Sequence, residues 1–95
     1  MTVELSDEAR AATERADSWW RGNRPAAPDL FANELDQALL ALAGSPGVGL
    51  RYDPKPGVRR LLLRRTGYHL YFLAEADRVF VVAVWSAYRG RGPEL

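Results

Sequence analysis

The last stretch of the chain, Trp85-Ser86-Ala87-Tyr88-Arg89-Gly90-Arg91-Gly92-Pro93-Glu94-Leu95, sets aromatic rings beside guanidinium groups. Rings stack, guanidiniums carry charge in a bidentate fork, and glycines let the backbone turn and approach a partner closely. Such an end grips phosphates and bases, as single-stranded nucleic-acid binders do, or docks into an acidic protein groove. A second arginine group precedes it in Val58-Arg59-Arg60-Leu61-Leu62-Leu63-Arg64-Arg65. At period two, Arg59, Leu61, Leu63 and Arg65 share one face and Val58, Arg60, Leu62 and Arg64 the other. These side chains equally suit strand ends that snorkel to water. His69 is the only histidine, and with no cysteine and no clustered carboxylates it makes no metal site of ordinary ligand count. It reads as a satisfied structural side chain. Ser86 has no base and orienting carboxylate near it in sequence, so a hydrolytic triad is not indicated. Trp19-Trp20 is the remaining aromatic signal. Neighbours on a helix point about 100° apart, so one ring packs on the sheet and the other lies at a boundary. That second ring suits packing on the chain itself or anchoring a partner. These residue types grip; they are not placed to transform a metabolite.

With 95 residues the chain makes one domain, residues 1–95, with a core just large enough to hold without staples. Apolar residues make up 47% and charged residues 26%, which excludes a disordered chain. No apolar run is long enough for a helix to span a bilayer. The opening Met1-Thr2-Val3-Glu4-Leu5-Ser6-Asp7-Glu8 is acidic where a secretory signal is basic. These features predict a cytoplasmic protein with no membrane association, and no cofactor is indicated. The net charge of +1 hides a division. Residues 1–47 hold eight acidic and four basic side chains; residues 48–95 hold nine basic and four acidic. A basic half points to a macromolecular partner, although the same charges also protect a solvated sheet edge from aggregation.

The elements that position these groups follow from pattern. Ser6 before Asp7-Glu8 is a helix start, with acids where the helix dipole favours them. Leu5, Ala9, Ala12, Ala16 and Trp19 then recur at helical spacing. Gly22-Asn23 is expected to end this helix in a left-handed conformation. After Arg24-Pro25-Ala26-Ala27-Pro28, with a proline in the first turn, a second helix runs to about Ala43. Its stripe is Phe31, Leu35, Ala38, Leu39 and Leu42, and Gly44-Ser45-Pro46-Gly47 stops it. Residues 48–57 form a loop that can carry a short strand at Leu50-Arg51-Tyr52. Strands follow near 58–65, 68–74 and 78–86. In the last, Val79, Val81, Ala83 and Trp85 alternate with Phe80, Val82 and Val84. Both faces are apolar, so one packs on the helices and the other needs a second cover. The fold class is therefore α+β: an N-terminal antiparallel helical hairpin packed on a three- to four-stranded twisted antiparallel sheet.

Three blocks carry a resemblance to a known family. They are Glu-Leu-Asp-Gln-Ala-Leu-Leu-Ala-Leu-Ala-Gly-Ser-Pro-Gly from Glu34 to Gly47, the segment from Pro56 to Phe72 that opens Pro-Gly-Val-Arg-Arg-Leu, and the segment from Val79 to Leu95. Together they resemble the ParE/RelE superfamily of bacterial toxin–antitoxin modules, and its ParE (plasmid-stabilisation) branch most. The family usually carries His after the tryptophan, where this chain has Ser86. The resemblance implies the RelE/ParE-like fold, no cofactor, and a ParD-like antitoxin that folds onto the toxin and covers exposed apolar surface. Trp20, Phe31 and Leu35 are the expected antitoxin contacts. It implies DNA gyrase as target, with Trp85, Tyr88, Arg89 and Arg91 as the contacts and Arg59, Arg60 and Arg65 as a basic sheet cluster. Gyrase poisoning needs protein contact, not enzymatic activity of the toxin and not direct sequence-specific nucleic-acid binding. The RelE-like alternative is a ribosome-dependent mRNA endoribonuclease. That branch uses a Lys/Arg set and commonly a C-terminal Tyr. Here Lys55 is the only lysine and Tyr88 precedes Arg89. A family member kept only for partner binding is the third reading.

Overall fold

The computed structural model describes residues 1–45 and 47–95. Its elements are β1 (Thr2–Leu5), α1 (Asp7–Asn23), α2 (Leu30–Gly44), β2 (Leu50–Arg51), β3 (Arg59–Leu63), β4 (Tyr68–Ala74) and β5 (Arg78–Ser86). Ser6 caps α1 as expected. Its hydroxyl accepts from the Ala9 N–H at 3.0 Å, and Asp7 and Glu8 fill the first turn. The end of α1 has a different cause from the one the sequence suggested. Gly22 and Asn23 remain helical, and no non-glycine residue among those described has a positive φ. The helix stops because Arg24, at φ −129°, precedes Pro25, whose ring disfavours the helical conformation before it. Neither Pro25 nor Pro28 enters α2, which begins two residues later with Asp29 at its cap position. Pro46, part of the expected stop signal, lies outside the described residues.

The sheet differs most from expectation. It has five strands in the order β1-β5-β4-β3-β2, and it is mixed. β1 was not anticipated, and it lies parallel to β5 with Val3 opposite Val79 and Leu5 opposite Val81. Leu5 therefore belongs to a strand, not to the apolar stripe of α1. Four residues alternating outward and inward are too few to announce a strand locally. Only the long return of the chain brings β5 alongside, as a parallel pair requires. The β2–β3, β3–β4 and β4–β5 pairs are antiparallel.

A bulge in β5 resets the faces. Phe72 pairs with Val81 and Tyr71 with Ala83, leaving Val82 as the extra residue. Val79, Val81 and Val84 are consequently all core residues. Ala83 and Trp85 fall on the opposite face with Phe80, so the expected split of Val79, Val81, Ala83 and Trp85 against Phe80, Val82 and Val84 holds only before the bulge.

Both helices cover one face of the sheet. Ala9, Ala16, Phe31, Ala38 and Leu42 meet Leu63, Leu70, Phe72 and the β5 valines in one core. Each fully buried Leu or Phe contributes about 1.5–3 kcal/mol. The helices touch each other, but α1 packs chiefly on β5, while α2 bridges β1, β3 and β5. The sheet, more than a helical hairpin, holds the pair. Glu34 of α2 fastens the β3–β4 turn: its carboxylate accepts from the Arg65 N–H at 2.7 Å, the Thr66 N–H at 3.0 Å and the Thr66 hydroxyl at 2.6 Å. Among the described residues no helix is long and apolar enough to cross a membrane.

Candidate functional site

The face of the sheet away from the helices carries the site. Register fixes its membership. Arg60 lies opposite Tyr71 and Leu62 opposite His69, and His69 lies opposite Trp85. Arg60, His69, Tyr71, Trp85, Arg89 and Arg91 therefore surround one small cavity of about 220 Å³. Trp85 is its hub. The indole N–H donates to the Arg91 carbonyl at 2.8 Å. The guanidinium carbon of Arg89 stands 4.1 Å from the ring centroid and that of Arg91 5.8 Å. Cation–π contact of this kind contributes about 0.5–1 kcal/mol at an exposed position. The chain past Ser86 is thus folded back over the sheet.

Glycines permit that path. A Cβ on Gly92 would lie 2.3 Å from the Tyr52 hydroxyl, so the tail passes Tyr52 at a distance only glycine allows. Tyr52 packs edge-on against Tyr71 with centroids 4.8 Å apart and receives Arg60 over its ring at 5.6 Å. Tyr71 is buried. Part of the second face is therefore covered by the chain itself, through Tyr52 and the tail. Leu62 stays open, at 42% exposure.

The electrostatics are one-sided. Among the described residues, ion pairs involve only Arg21, with Asp17 and Asp29, and Arg78, with Glu4 and Glu75. Arg60, Arg89 and Arg91 have no carboxylate partner there. Burial, and then the nearby Arg60 charge, push the His69 imidazole below its ordinary pKa, so it is neutral at neutral pH. No group of three or more His, Asp or Glu side chains among the described residues is placed to hold a metal ion. The arrangement can bind an anionic group against an aromatic floor, with a neutral imidazole at its side.

The residues singled out from sequence divide on this map. Trp85, Arg89 and Arg91 come together as expected. Tyr88 does not join them. It is 86% exposed at the other side of β5, and its ring lies where a Cβ on Gly67 would come within 2.4 Å. Arg59, Arg60 and Arg65 form no cluster. Only Arg60 faces the cavity. Arg59 turns toward the loop before β2, donating to the carbonyls of Gly47 at 2.9 Å and Gly49 at 2.8 Å. It is a latch for that loop. Arg65 is exposed in the β3–β4 turn. Trp20 and Leu35 are half-buried against the core. Phe31 has no exposed area and packs edge-on against Tyr68 at 5.1 Å. Phe31 therefore supports the helical surface from beneath and offers no contact to a partner in this conformation. Sequence reasoning missed Tyr52 and Tyr71, and it read His69 only as structural. The period-two spacing of His69 and Tyr71 marked them as sharing a face, but the register that sets Trp85 and Arg60 against them is not local.

The fold is thus a mixed five-stranded sheet with both helices on one face and a second face, bearing Arg60 and the tail arginines, left partly open. Solved structures show the same fold. One, a chromosomal ParDE toxin–antitoxin system from P. aeruginosa, superposes with a TM-score of 0.76 at 17% identity, over 90% of this chain and 95% of that one. The intact E. coli RelBE toxin–antitoxin complex does so with a TM-score of 0.64 at 21% identity, over 93% and 98%. The class is thus the RelE/ParE-like α+β domain. Residues 3–89 match the family described as the ParE toxin of the type II toxin–antitoxin system parDE, and the chain belongs to that family. No curated protein matches the sequence significantly.

Proposed function

We propose that this chain is a toxin that inhibits DNA gyrase by protein contact in the cytoplasm and is neutralised by a ParD-like antitoxin. The observation that carries the reading is the Trp85 hub, flanked by Arg89 and Arg91 with no carboxylate among the described residues to neutralise either. Family membership supports a toxin with an antitoxin partner, and the ParDE likeness supports the fold. In this reading the tail arginines meet acidic groups or phosphates of the gyrase–DNA complex, where charge-assisted bidentate bonds are strongest. Truncation after Ala87 is expected to abolish growth arrest while leaving antitoxin binding largely intact. Growth assays on induced cells and co-purification with the antitoxin check this. Persistent arrest in the truncated form would overturn the assignment of the tail.

One observation favours a second reading, the RelE-like ribonuclease. Arg60, Arg89 and a neutral His69 surround the same cavity. Two guanidiniums can hold a phosphodiester, and a neutral imidazole can accept the proton of a 2′-hydroxyl. Purified protein added to translating ribosomes discriminates the two. Intact mRNA together with gyrase-cleaved DNA supports the gyrase reading; codon-specific mRNA cuts that vanish in His69→Gln establish the other.

A further inference from the structure

A second recess lies on the helical side of the sheet, where the C-terminal turn of α1 meets the β3–β4 turn and the end of β5. It measures about 320 Å³, room for one or two side chains, and Trp19, Trp20, Arg24, Tyr68 and Tyr88 shape it. The aromatic surface here is open: Trp19 is 46% exposed and Tyr88 86%. Trp20 meets Trp19 edge-on at 5.8 Å. Small domains rarely leave this much ring area to water without a use.

The charges show what the recess would take. Arg21 engages two carboxylates beside the recess, Asp17 at 2.9 Å and Asp29 at 2.6 Å. Glu34 is spent on the Thr66 turn. Among the described residues Arg24 is left without an acid. Among those residues its side chain makes one hydrogen bond, a long one to the adjacent Asn23 carbonyl at 3.5 Å, and its guanidinium carbon rests 5.1 Å and 5.7 Å from the Trp19 and Trp20 ring centroids. A cation held over two rings, with no counter-charge among the described residues, suits a carboxylate beside an apolar wall. The opposite wall is also fixed. Gly67, at φ +80°, leaves the space that the Tyr88 ring fills, and the Ala87 N–H bonds the Gly67 carbonyl at 2.7 Å.

We propose that this cleft docks an acidic segment of a partner protein, one that seats a bulky apolar side chain between Trp19, Trp20 and Tyr88 and a neighbouring carboxylate on Arg24. The inference rests on the reading above only in treating Trp20 and Tyr88 as contact residues. It adds the chemistry of the partner and makes Arg24 and Trp19 its anchors. A segment seated here covers Tyr88, so it would compete for any target contact that Tyr88 makes.

The indole N–H signals of the three tryptophans report on the site separately in a two-dimensional NMR titration. Trp85 is an internal control, since its N–H is already engaged on the other face. The probe is a short capped peptide of glutamate and aspartate around a central leucine–phenylalanine pair, compared with its glutamine–asparagine counterpart. The expected result is movement of the Trp19 and Trp20 signals by the acidic peptide, with affinity about tenfold or more above the neutral one. Arg24→Gln is expected to erase that advantage. Arg10→Gln, an equal change in net charge about 20 Å along α1, is expected to retain it. Equal binding of both peptides, no movement by either, equal loss in both variants, or preferential movement by a thymidine oligonucleotide would overturn the proposal. Because the readout is binding and not arrest, a peptide-binding chain that leaves gyrase untouched would refute the gyrase reading alone.

Discussion

At the scale of single residues, chemical type and partner availability separate the arginines. Thirteen basic side chains read alike in sequence. In the fold Arg21 and Arg78 are consumed by carboxylates, Arg59 holds a loop, and Arg24, Arg60, Arg89 and Arg91 lie over rings. This last group sets charge beside an aromatic face, with no carboxylate partner among the described residues. His69 shows the cost of that charge. Its folded pKa lies below the ordinary value because burial and Arg60 disfavour the imidazolium. The unfolded chain therefore takes up the proton first as pH falls, and the stability from keeping His69 neutral, fully present above the unfolded value of about 6.5, is lost as pH falls from there toward the folded pKa. Urea unfolding at about pH 7.5 and about pH 5.5 is expected to show this loss, and His69→Gln is expected to flatten that part of the profile.

At the scale of elements, junction residues decide more than element interiors. Ser6 ends β1, caps α1 and binds β5 at once. Its N–H donates to the Val81 carbonyl at 2.9 Å, its hydroxyl to the Val82 carbonyl at 3.3 Å, and the same hydroxyl accepts from Ala9. The cap was legible from Ser6-Asp7-Glu8 because capping is local. The tie to the bulged strand was not, because it spans nearly the whole chain. Ser6→Ala is expected to cost about 1–2 kcal/mol, the high end of cap loss, measured by urea denaturation. A change near zero would mean that the β1–α1 junction is held by backbone pairing alone. The bulge at Val82 is the other such point. Without it Trp85 would face the helices, and Arg89 and Arg91 would have no hub to stack on.

At the scale of the whole molecule, the helices seal one face of the sheet and the tail only partly covers the other. Leu62 and the Trp19–Tyr88 cleft keep apolar area in contact with water, beside arginines that have no carboxylate partner among the described residues. A partner that supplies acid and apolar surface together would stabilise the folded chain by mass action. In the proposed module, adding the cognate antitoxin is expected to raise the melting temperature and suppress binding of a hydrophobic dye. Unchanged values for both would show that the open surfaces are not what the antitoxin covers.

The order of helices and later strands, the cap at Ser6, the apolar stripe of α2 and the arginine–aromatic tail were all determined by sequence, because each depends on residues within a turn or two of one another. Tertiary structure decided the rest. It added β1 beside β5, placed the bulge that turns Trp85 outward, buried Phe31, set Arg59 on the carbonyls of the loop before β2, and paired Asp17 and Asp29 with Arg21 and not with Arg24. Each of those outcomes depends on strand register or on competition for a partner between distant residues. Neither quantity is written in any local stretch of the chain.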